Sequence, residues 1–68
     1  LVRQQVLVDM MFQMGAPTLV KFFRFMRNLM MKDYNRASME MLDSKWALQT
    51  PKRAHRLAEM MRTGRYVD

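Results

Sequence analysis

Apolar side chains recur along this chain at the three- and four-residue spacing of amphipathic helices, and turn-forming residues separate the segments. From residue 2 to 14 the pattern is apolar on almost every side, which predicts a buried central helix that ends at Gly15. Its narrow polar stripe holds Gln5, Asp9 and Gln13, each four residues from the next. This stripe either lines a cleft or, in the interpretation we prefer, faces water.

The next segment, around Ala16, Pro17 and Thr18, predicts a tight corner with a short helix that starts near the proline. Residues 21–32 then predict a cationic amphipathic helix. Its apolar stripe is Phe22, Phe25, Met26 and Leu29, and its basic side chains fall largely on the opposite side. The preferred interpretation is a core stripe with a solvated basic face, and the alternative is a helix that lies on a membrane surface.

Two polar residues are typical helix starts in the following segment. Asp33 is predicted to cap a helix whose apolar stripe holds Tyr34, Ala37, Met41 and Leu42, and Ser44 is predicted to cap a single turn. On the first of these helices Arg36 and Glu40 are four residues apart, so we expect a surface pair.

The last predicted helix begins at Pro51, because proline at the first helical position gives up no hydrogen bond. The side chain of Thr50 is expected to accept a hydrogen bond from an amide one turn later, and Gly64 is expected to end the helix. His55 and Glu59 are spaced as an exposed pair. The predicted buried stripe is Ala54, Leu57, Ala58 and Met61.

These segments predict an all-α domain over residues 1–68, a compact cluster of about five or six short helices, since no strand-like alternation or repeat occurs. Ten methionines make the predicted core adaptable. A chain of 68 residues has a marginal balance between apolar burial and chain entropy, so we expect support from another segment or a partner. Leu1 in place of an initiator Met leads us to expect a fragment or a processed chain.

The net charge of +6 favours anionic partners, and nucleic acid, anionic lipid and bacterial cell wall all remain candidates. Nucleic acid is disfavoured because the cations are spread over at least three predicted helices and form no single recognition face. An anionic membrane surface stays open as an alternative. With no Cys and with His55 alone, disulfides and a metal site are excluded, and we expect no cofactor.

The carboxylates do not form an evident catalytic pair. A glycosidase needs two carboxyl groups across one bond, at roughly 5 to 9.5 Å. The acidic residues here fall on predicted exposed faces or at helix caps: Asp9, Asp33, Glu40, Asp43, Glu59 and Asp68. Neither a glycine-rich elbow nor a phosphate loop accompanies the two serines. We therefore assign no catalytic residue and predict that the chain alone is inactive.

One basic pair stands at an unfavourable place. Lys52 and Arg53 fall in the first turn of the last predicted helix, where the helix dipole is positive and disfavours a cation by about 0.3 to 1 kcal/mol. We therefore expect an anionic group close to this turn.

Three motifs, read in order, identify a resemblance: MMFQMG, SKWALQTPKRA and RTGRY. Together they resemble the C-terminal helical domain of phage-type lysozymes of the T-even kind, from about residue 2 to residue 66. The chain departs from the family pattern at Ala16 and Pro17, and it has Tyr34 and Tyr66 where the family often has Trp.

The resemblance implies a two-lobed, bacteriolytic muramidase that hydrolyses the bond between N-acetylmuramic acid and N-acetylglucosamine in peptidoglycan. It also implies synthesis in the cytoplasm of a bacterial host and action on the cell wall. The family's catalytic Glu, Asp and Thr lie in the N-terminal lobe, and their spacing does not occur here. The chain would therefore be the supporting lobe, with an N-terminal lobe of the same protein or of another chain as its partner.

By the same resemblance, Phe12, Gln13 and Trp46 lie on or beside the cleft wall, and Arg53 faces the catalytic Glu of the other lobe. For Trp46 we expect core packing as the primary role, with Gln13 as the partner of its indole N–H. Two alternatives remain: a non-enzymatic module that disrupts cell walls or membranes through residues 21–32, and a structural lysozyme-like module of a phage or other assembly.

Overall fold

The computed structural model describes residues 1–20 and 22–67, without the side chains of Ala16 and Val20. Lys21 of the predicted cationic helix and the acidic Asp68 thus lie outside the described residues. The described part contains six helices: α1 Val2–Met14, α2 Ala16–Val20, α3 Phe23–Met30, α4 Tyr34–Leu42, α5 Lys45–Gln49 and α6 Pro51–Thr63.

The all-α class and the cluster of short helices are confirmed, and no strand occurs in the described ranges. The Cα radius of gyration is 10.5 Å, close to the roughly 11 Å expected for a compact chain of this length. Within residues 1–20 and 22–67, no helix has the length and apolar character needed to cross a lipid bilayer.

The core lies between α1, α3, α4 and α6. Its largest fully buried side chains are Val6, Met10, Phe25, Met41 and Met61. Helix α4 packs against both α3 and α6, while α1 packs mainly against α6 and α2. The predicted stripe of α6 is confirmed, since all four of its members are buried. Three of the five largest buried side chains are methionines, so flexible side chains fill much of this small core.

Most of the predicted helix boundaries are confirmed. The Asp33 carboxylate accepts a hydrogen bond from the Arg36 amide at 3.2 Å, and the Ser44 hydroxyl accepts one from the Ala47 amide at 3.2 Å. Helix α6 begins at Pro51 and ends at Thr63, and its C-cap Gly64 has a left-handed backbone with φ of 72°. Cap chemistry read from single residues therefore placed these boundaries correctly.

The prediction for the Thr50 side chain was wrong. It makes no capping hydrogen bond to α6, and its Oγ1 donates instead to the Trp46 carbonyl at 3.1 Å. The preceding helix ends at Gln49, and its Trp46 carbonyl, which also accepts from the Thr50 amide at 3.0 Å, is within reach of the hydroxyl. The first turn of α6 therefore lacks both a side-chain cap and an acidic residue.

Two predicted surface pairs were also wrong. Arg36 pairs with Asp33, with a separation of 3.5 Å between Nε and Oδ2, rather than with Glu40. Glu59 pairs with Arg62, and Nδ1 of His55 lies 2.8 Å from the Pro51 carbonyl oxygen. In each case a partner three residues away, or a carbonyl of the previous turn, is within easier reach than the expected partner.

Helix α1 was predicted to be buried on almost every side, and this prediction was wrong. Val6 and Met10 are inaccessible to solvent, but Phe12 is 83% exposed, and Val8 and Met11 are also exposed. The reason is that α2 and α6 cover only part of its circumference. The apolar side chains of α1 therefore extend beyond the face that packs in the core, and Val8, Met11 and Phe12 are open to solvent.

The side chain of Arg3 connects the start of α1 to the end of α6 through hydrogen bonds. Its Nε donates to the Met61 carbonyl at 2.7 Å and its Nη2 to the Arg62 carbonyl at 3.1 Å. The guanidinium also lies 3.5 Å from the centre of the Tyr34 ring. Three helices therefore meet at one side chain, which the sequence had presented only as one of many scattered cations.

Candidate functional site

An open pocket with a volume of about 270 Å³ lies between the C-terminal half of α1 and the N-terminal half of α6. Its lining residues are Asp9, Phe12, Gln13, Arg53, Arg56 and Leu57. The two helices run in opposite directions, as shown by the contact between Arg3, near the start of α1, and the end of α6. The pocket is therefore at the other end of the same helix pair.

Helical periodicity explains how each helix presents three residues to the pocket. Asp9, Phe12 and Gln13 are separated by three and four positions on α1, so they share one face. Arg53, Arg56 and Leu57 repeat that spacing on α6. Leu57 is buried and forms the floor on the core side, while Phe12, Arg53 and Arg56 are exposed.

Gln13 is held in place by Trp46. The indole Nε1 donates to Gln13 Oε1 at 2.7 Å, which confirms the expected partner of this N–H. Trp46 is half-buried and packs against the core, as predicted for its primary role. It does not line the pocket itself. Its effect on the pocket is indirect, because it fixes the orientation of the Gln13 amide at the pocket wall.

Arg53 is exposed and lines the pocket from the first turn of α6. No ion pair between described residues includes it. Asp9 shares the pocket, and its Oδ1 accepts a hydrogen bond from Gln5 Nε2 at 3.2 Å. With two arginines and one carboxylate, the wall carries net positive charge. Among the described residues no carboxylate forms an ion pair with Arg53, and Asp9 is the carboxylate that shares its pocket.

The side chains that line the pocket are suited to binding. An exposed aromatic ring, an oriented amide and two guanidinium groups suit a polar ligand that also has apolar faces. Among the described lining residues Asp9 is the single carboxylate. One carboxylate cannot provide both the acid and the nucleophile or base that glycoside hydrolysis requires.

Of the four site residues expected from the resemblance, three meet in this pocket and the fourth, Trp46, adjoins it through Gln13. Asp9, Arg56 and Leu57 complete the lining and were not predicted as site residues. The signal was present in the spacing: Asp9 is four positions before Gln13, and Arg56 is three positions after Arg53. Within the described ranges, no group of three or more potential metal ligands is found.

Two relatives from Dictyostelium discoideum match the chain over nearly its whole length. It is 37% identical over 62 residues, 91% of the chain, to a protein named probable T4-type lysozyme 2. It is 32% identical over 63 residues, 93% of the chain, to probable T4-type lysozyme 1. No protein-family model matches the chain, and no solved structure gives a significant match.

The matched region spans 36% of the first relative and 37% of the second, so the chain covers about a third of the length of each. The relatives and the motifs in the sequence support the same assignment. Over nearly all of its 68 residues, the chain is therefore a T4-lysozyme-like domain.

Proposed function

We propose that this chain is the C-terminal helical lobe of a phage-type lysozyme, a muramidase that hydrolyses the glycosidic bond between N-acetylmuramic acid and N-acetylglucosamine in peptidoglycan. In this proposal the chain forms one wall of the polysaccharide cleft. A second lobe, from the same protein or from another chain, supplies the catalytic carboxylates.

The observation that carries the proposal is the meeting of Phe12, Gln13 and Arg53 at one pocket, with Gln13 oriented by Trp46. An aromatic ring beside an oriented amide can contact the apolar face of a sugar and hydrogen-bond to its polar substituents. The relatives named T4-type lysozyme support the same class of function. The exposed Phe12 supports an occupant on this side, because a large apolar side chain at a pocket rim gains by being covered.

The role proposed for Arg53 is electrostatic. It lies where the dipole of α6 disfavours a cation and where no capping group compensates. A carboxylate of the second lobe placed opposite Arg53 would remove this disadvantage. The catalytic Glu of the second lobe is the proposed partner, and Arg53 would hold its pKa down by favouring its charged form.

The proposal is tested with a chimera in which this chain replaces the matching third of probable T4-type lysozyme 2. Hydrolysis of purified peptidoglycan is measured for the chimera, for the unmodified relative and for the 68-residue chain alone. We expect activity from the first two and none from the third. Robust hydrolysis by the 68-residue chain, or a folded but inactive chimera beside an active relative, would contradict the proposal.

A matched pair of variants then tests the pocket within the active chimera. Arg53→Ala removes a pocket cation, whereas Lys52→Ala removes its exposed neighbour, which does not line the pocket. We expect kcat/KM to fall about tenfold for Arg53→Ala, equivalent to roughly 1.4 kcal/mol of transition-state stabilisation. Lys52→Ala should change it less than about twofold. Equal losses of kcat/KM in the two variants would show that Arg53 contributes only as a general surface charge.

A further inference from the structure

A second groove lies on another part of the domain, between α3 and α4, with a volume of about 610 Å³. Its walls include Arg24, Arg27, Met31, Arg36, Met39 and Glu40. No residue of this groove lines the pocket between α1 and α6. The groove is therefore a separate feature that the proposed cleft does not use.

Four large apolar side chains of α3, its C-terminal end and α4 are exposed in this part of the domain. Phe23 is 73% exposed and Met30 is 80% exposed, while Met31 and Met39 are each about two-thirds exposed. Isolated apolar residues are normal on protein surfaces. Here Met31 and Met39 line the groove, and Phe23 and Met30 directly precede the lining residues Arg24 and Met31 in the chain, so the four are treated as one patch. The patch together with Arg24, Arg27 and Arg36 is called here the α3–α4 surface.

The spacing along α3 separates an inner side from an outer side. Phe25 is fully buried, and Phe22, Met26 and Leu29 pack against the core beside it, as the sequence predicted. The outer side carries Phe23, Arg27 and Met30 at intervals of four and three. Apolar and cationic side chains therefore alternate on the face of α3 that the core does not need.

The charge of the α3–α4 surface is positive. Arg36 is neutralised by its pair with Asp33. Arg24 and Arg27 are exposed, and neither takes part in an ion pair between described residues. Asp33 and Glu40 are the two carboxylates among the lining residues, so the three arginines leave the groove with a net charge of +1. A partner that neutralises Arg24 and Arg27 and also covers the apolar side chains would satisfy both features of the surface.

We propose that the α3–α4 surface binds the surface of an anionic lipid bilayer. Phe23, Met30 and Met31 enter the boundary between headgroups and acyl chains, while Arg24 and Arg27 remain at the level of the lipid phosphates. A nucleic acid or a soluble phosphate polymer would neutralise the arginines but leave the methionines uncovered. The proposal goes beyond the muramidase function and does not depend on it.

The charge contribution is tested with the 68-residue chain and vesicles of phosphatidylglycerol mixed with phosphatidylcholine. Each basic residue near such a surface contributes about 1 kcal/mol, equivalent to about fivefold in affinity. Replacing Arg24 and Arg27 with Gln should therefore weaken partition onto the vesicles about 25-fold. The control variant replaces the exposed Lys45 and Lys52 with Gln, which removes the same net charge elsewhere and should weaken partition less than about threefold.

The apolar contribution separates a bilayer from other anionic partners. Replacing Phe23 and Met30 with Ser should weaken partition onto the same vesicles at least tenfold, because both side chains lose their insertion into the boundary. Binding to a single-stranded DNA probe should change less than twofold for this variant. Equal losses on DNA and vesicles, or no loss on either, would overturn the proposal.

Methionine methyl groups give a readout that needs no substitution. The chain is labelled with ¹³C in its methionine methyls and titrated with phosphatidylglycerol vesicles that carry a paramagnetic headgroup. The methyl signals of Met30, Met31 and Met39 should broaden first, and that of Met11, which is exposed on α1, should broaden last. Uniform broadening, or broadening that begins at Met11, would place the contact elsewhere and overturn the proposal.

Discussion

The two ends of the α1–α6 helix pair each hold an arginine, and the two side chains are in opposite situations. At one end Arg3 donates to two carbonyls of α6 and stacks on the Tyr34 ring. At the other end Arg53 is exposed at an open pocket, without an ion pair among the described residues. At one end of the helix pair, which we call the closed end, the arginine is hydrogen-bonded to the neighbouring helix. The other end holds an open pocket and is called the open end.

The dipole of α6 makes the contrast sharper. Arg3 binds the carbonyl end, where partial negative charge favours a cation, while Arg53 is on the amide end, where a cation is disfavoured. The position of Arg3 is explained by stability alone. The position of Arg53 is not, and residues that break a local rule without a local gain are where function is expected.

The largest expected change in the free energy of unfolding comes from a substitution at the closed end. Arg3→Ala removes two charge-assisted hydrogen bonds to α6 and the contact with Tyr34. We expect the free energy of unfolding to fall by about 2 to 3 kcal/mol, because each hydrogen bond to a charged group contributes roughly 1.5 kcal/mol or more when partly buried. Urea unfolding followed by far-UV circular dichroism measures this change.

The matched control for Arg3→Ala is Arg3→Lys, which keeps the charge but not the planar fork. It should recover less than half of the loss, because one ammonium group cannot reproduce both the two-carbonyl geometry and the stacking on Tyr34. Full recovery by Lys would show that a positive charge near the end of α6 is sufficient for stability and that the two-carbonyl geometry of the guanidinium does not contribute.

The next effect concerns Gly64, which ends α6 beside Arg3. A Cβ at Gly64 would lie 2.9 Å from Nη1 of Arg3, and the backbone φ of 72° is unfavourable for other residues. Gly64→Ala should lower the free energy of unfolding by about 1 to 2 kcal/mol. In the Arg3→Ala background the loss should be smaller by roughly 0.5 kcal/mol, since the contact is gone. Strictly additive losses would exclude a steric contribution from Arg3.

The elements of the fold were predictable because their signals are local. Proline at the start of α6, the caps at Asp33 and Ser44 and the apolar stripe on α6 each act within one or two turns. The role of Arg3 was not predictable, because its partners lie 58 and 59 residues away. Nothing in the sequence around Arg3 distinguishes it from the other cations of the chain.

The candidate site was predictable to the extent that family motifs and helical spacing indicate it. The motifs identified Phe12, Gln13 and Arg53, and the stripe of Asp9 and Gln13 suggested a cleft, although water was the preferred interpretation. What the sequence could not supply was that this face of α6 lies beside the Asp9 and Gln13 face of α1, although the spacing already places Arg56 and Leu57 on the same face as Arg53. Helix orientation depends on packing across the core rather than on local pattern.

A smaller effect is expected at the boundary between core and pocket. Gln13→Ala leaves the Trp46 indole N–H without its partner while Trp46 remains half-buried. We expect the free energy of unfolding to fall by about 1 kcal/mol, the usual consequence of a lost hydrogen bond at a partly buried donor. Gln4→Ala is the control, because Gln4 is an exposed residue of the same helix whose side chain makes no hydrogen bond among the described residues. Equal losses would show that the bond to Trp46 adds no stability.

The smallest effect on stability is expected at the open end. Arg53→Ala should leave the free energy of unfolding within about 0.5 kcal/mol of the parent, since the side chain is exposed and unpaired among the described residues. A stability loss comparable to that of Arg3→Ala would show that Arg53 stabilises the fold as Arg3 does.

The same substitution should nevertheless change the pH profile of the active chimera. Removing a cation that faces the proposed catalytic Glu raises the pKa of that acid, because its charged form loses a favourable partner. A general acid acts while protonated, so the alkaline limb of the activity profile should move to higher pH by roughly half a unit to one unit. Lys52→Ala should leave that limb in place. If the alkaline limb of the pH profile stays in place in both variants, Arg53 is a solvated surface residue, and its position on α6 has no functional reason.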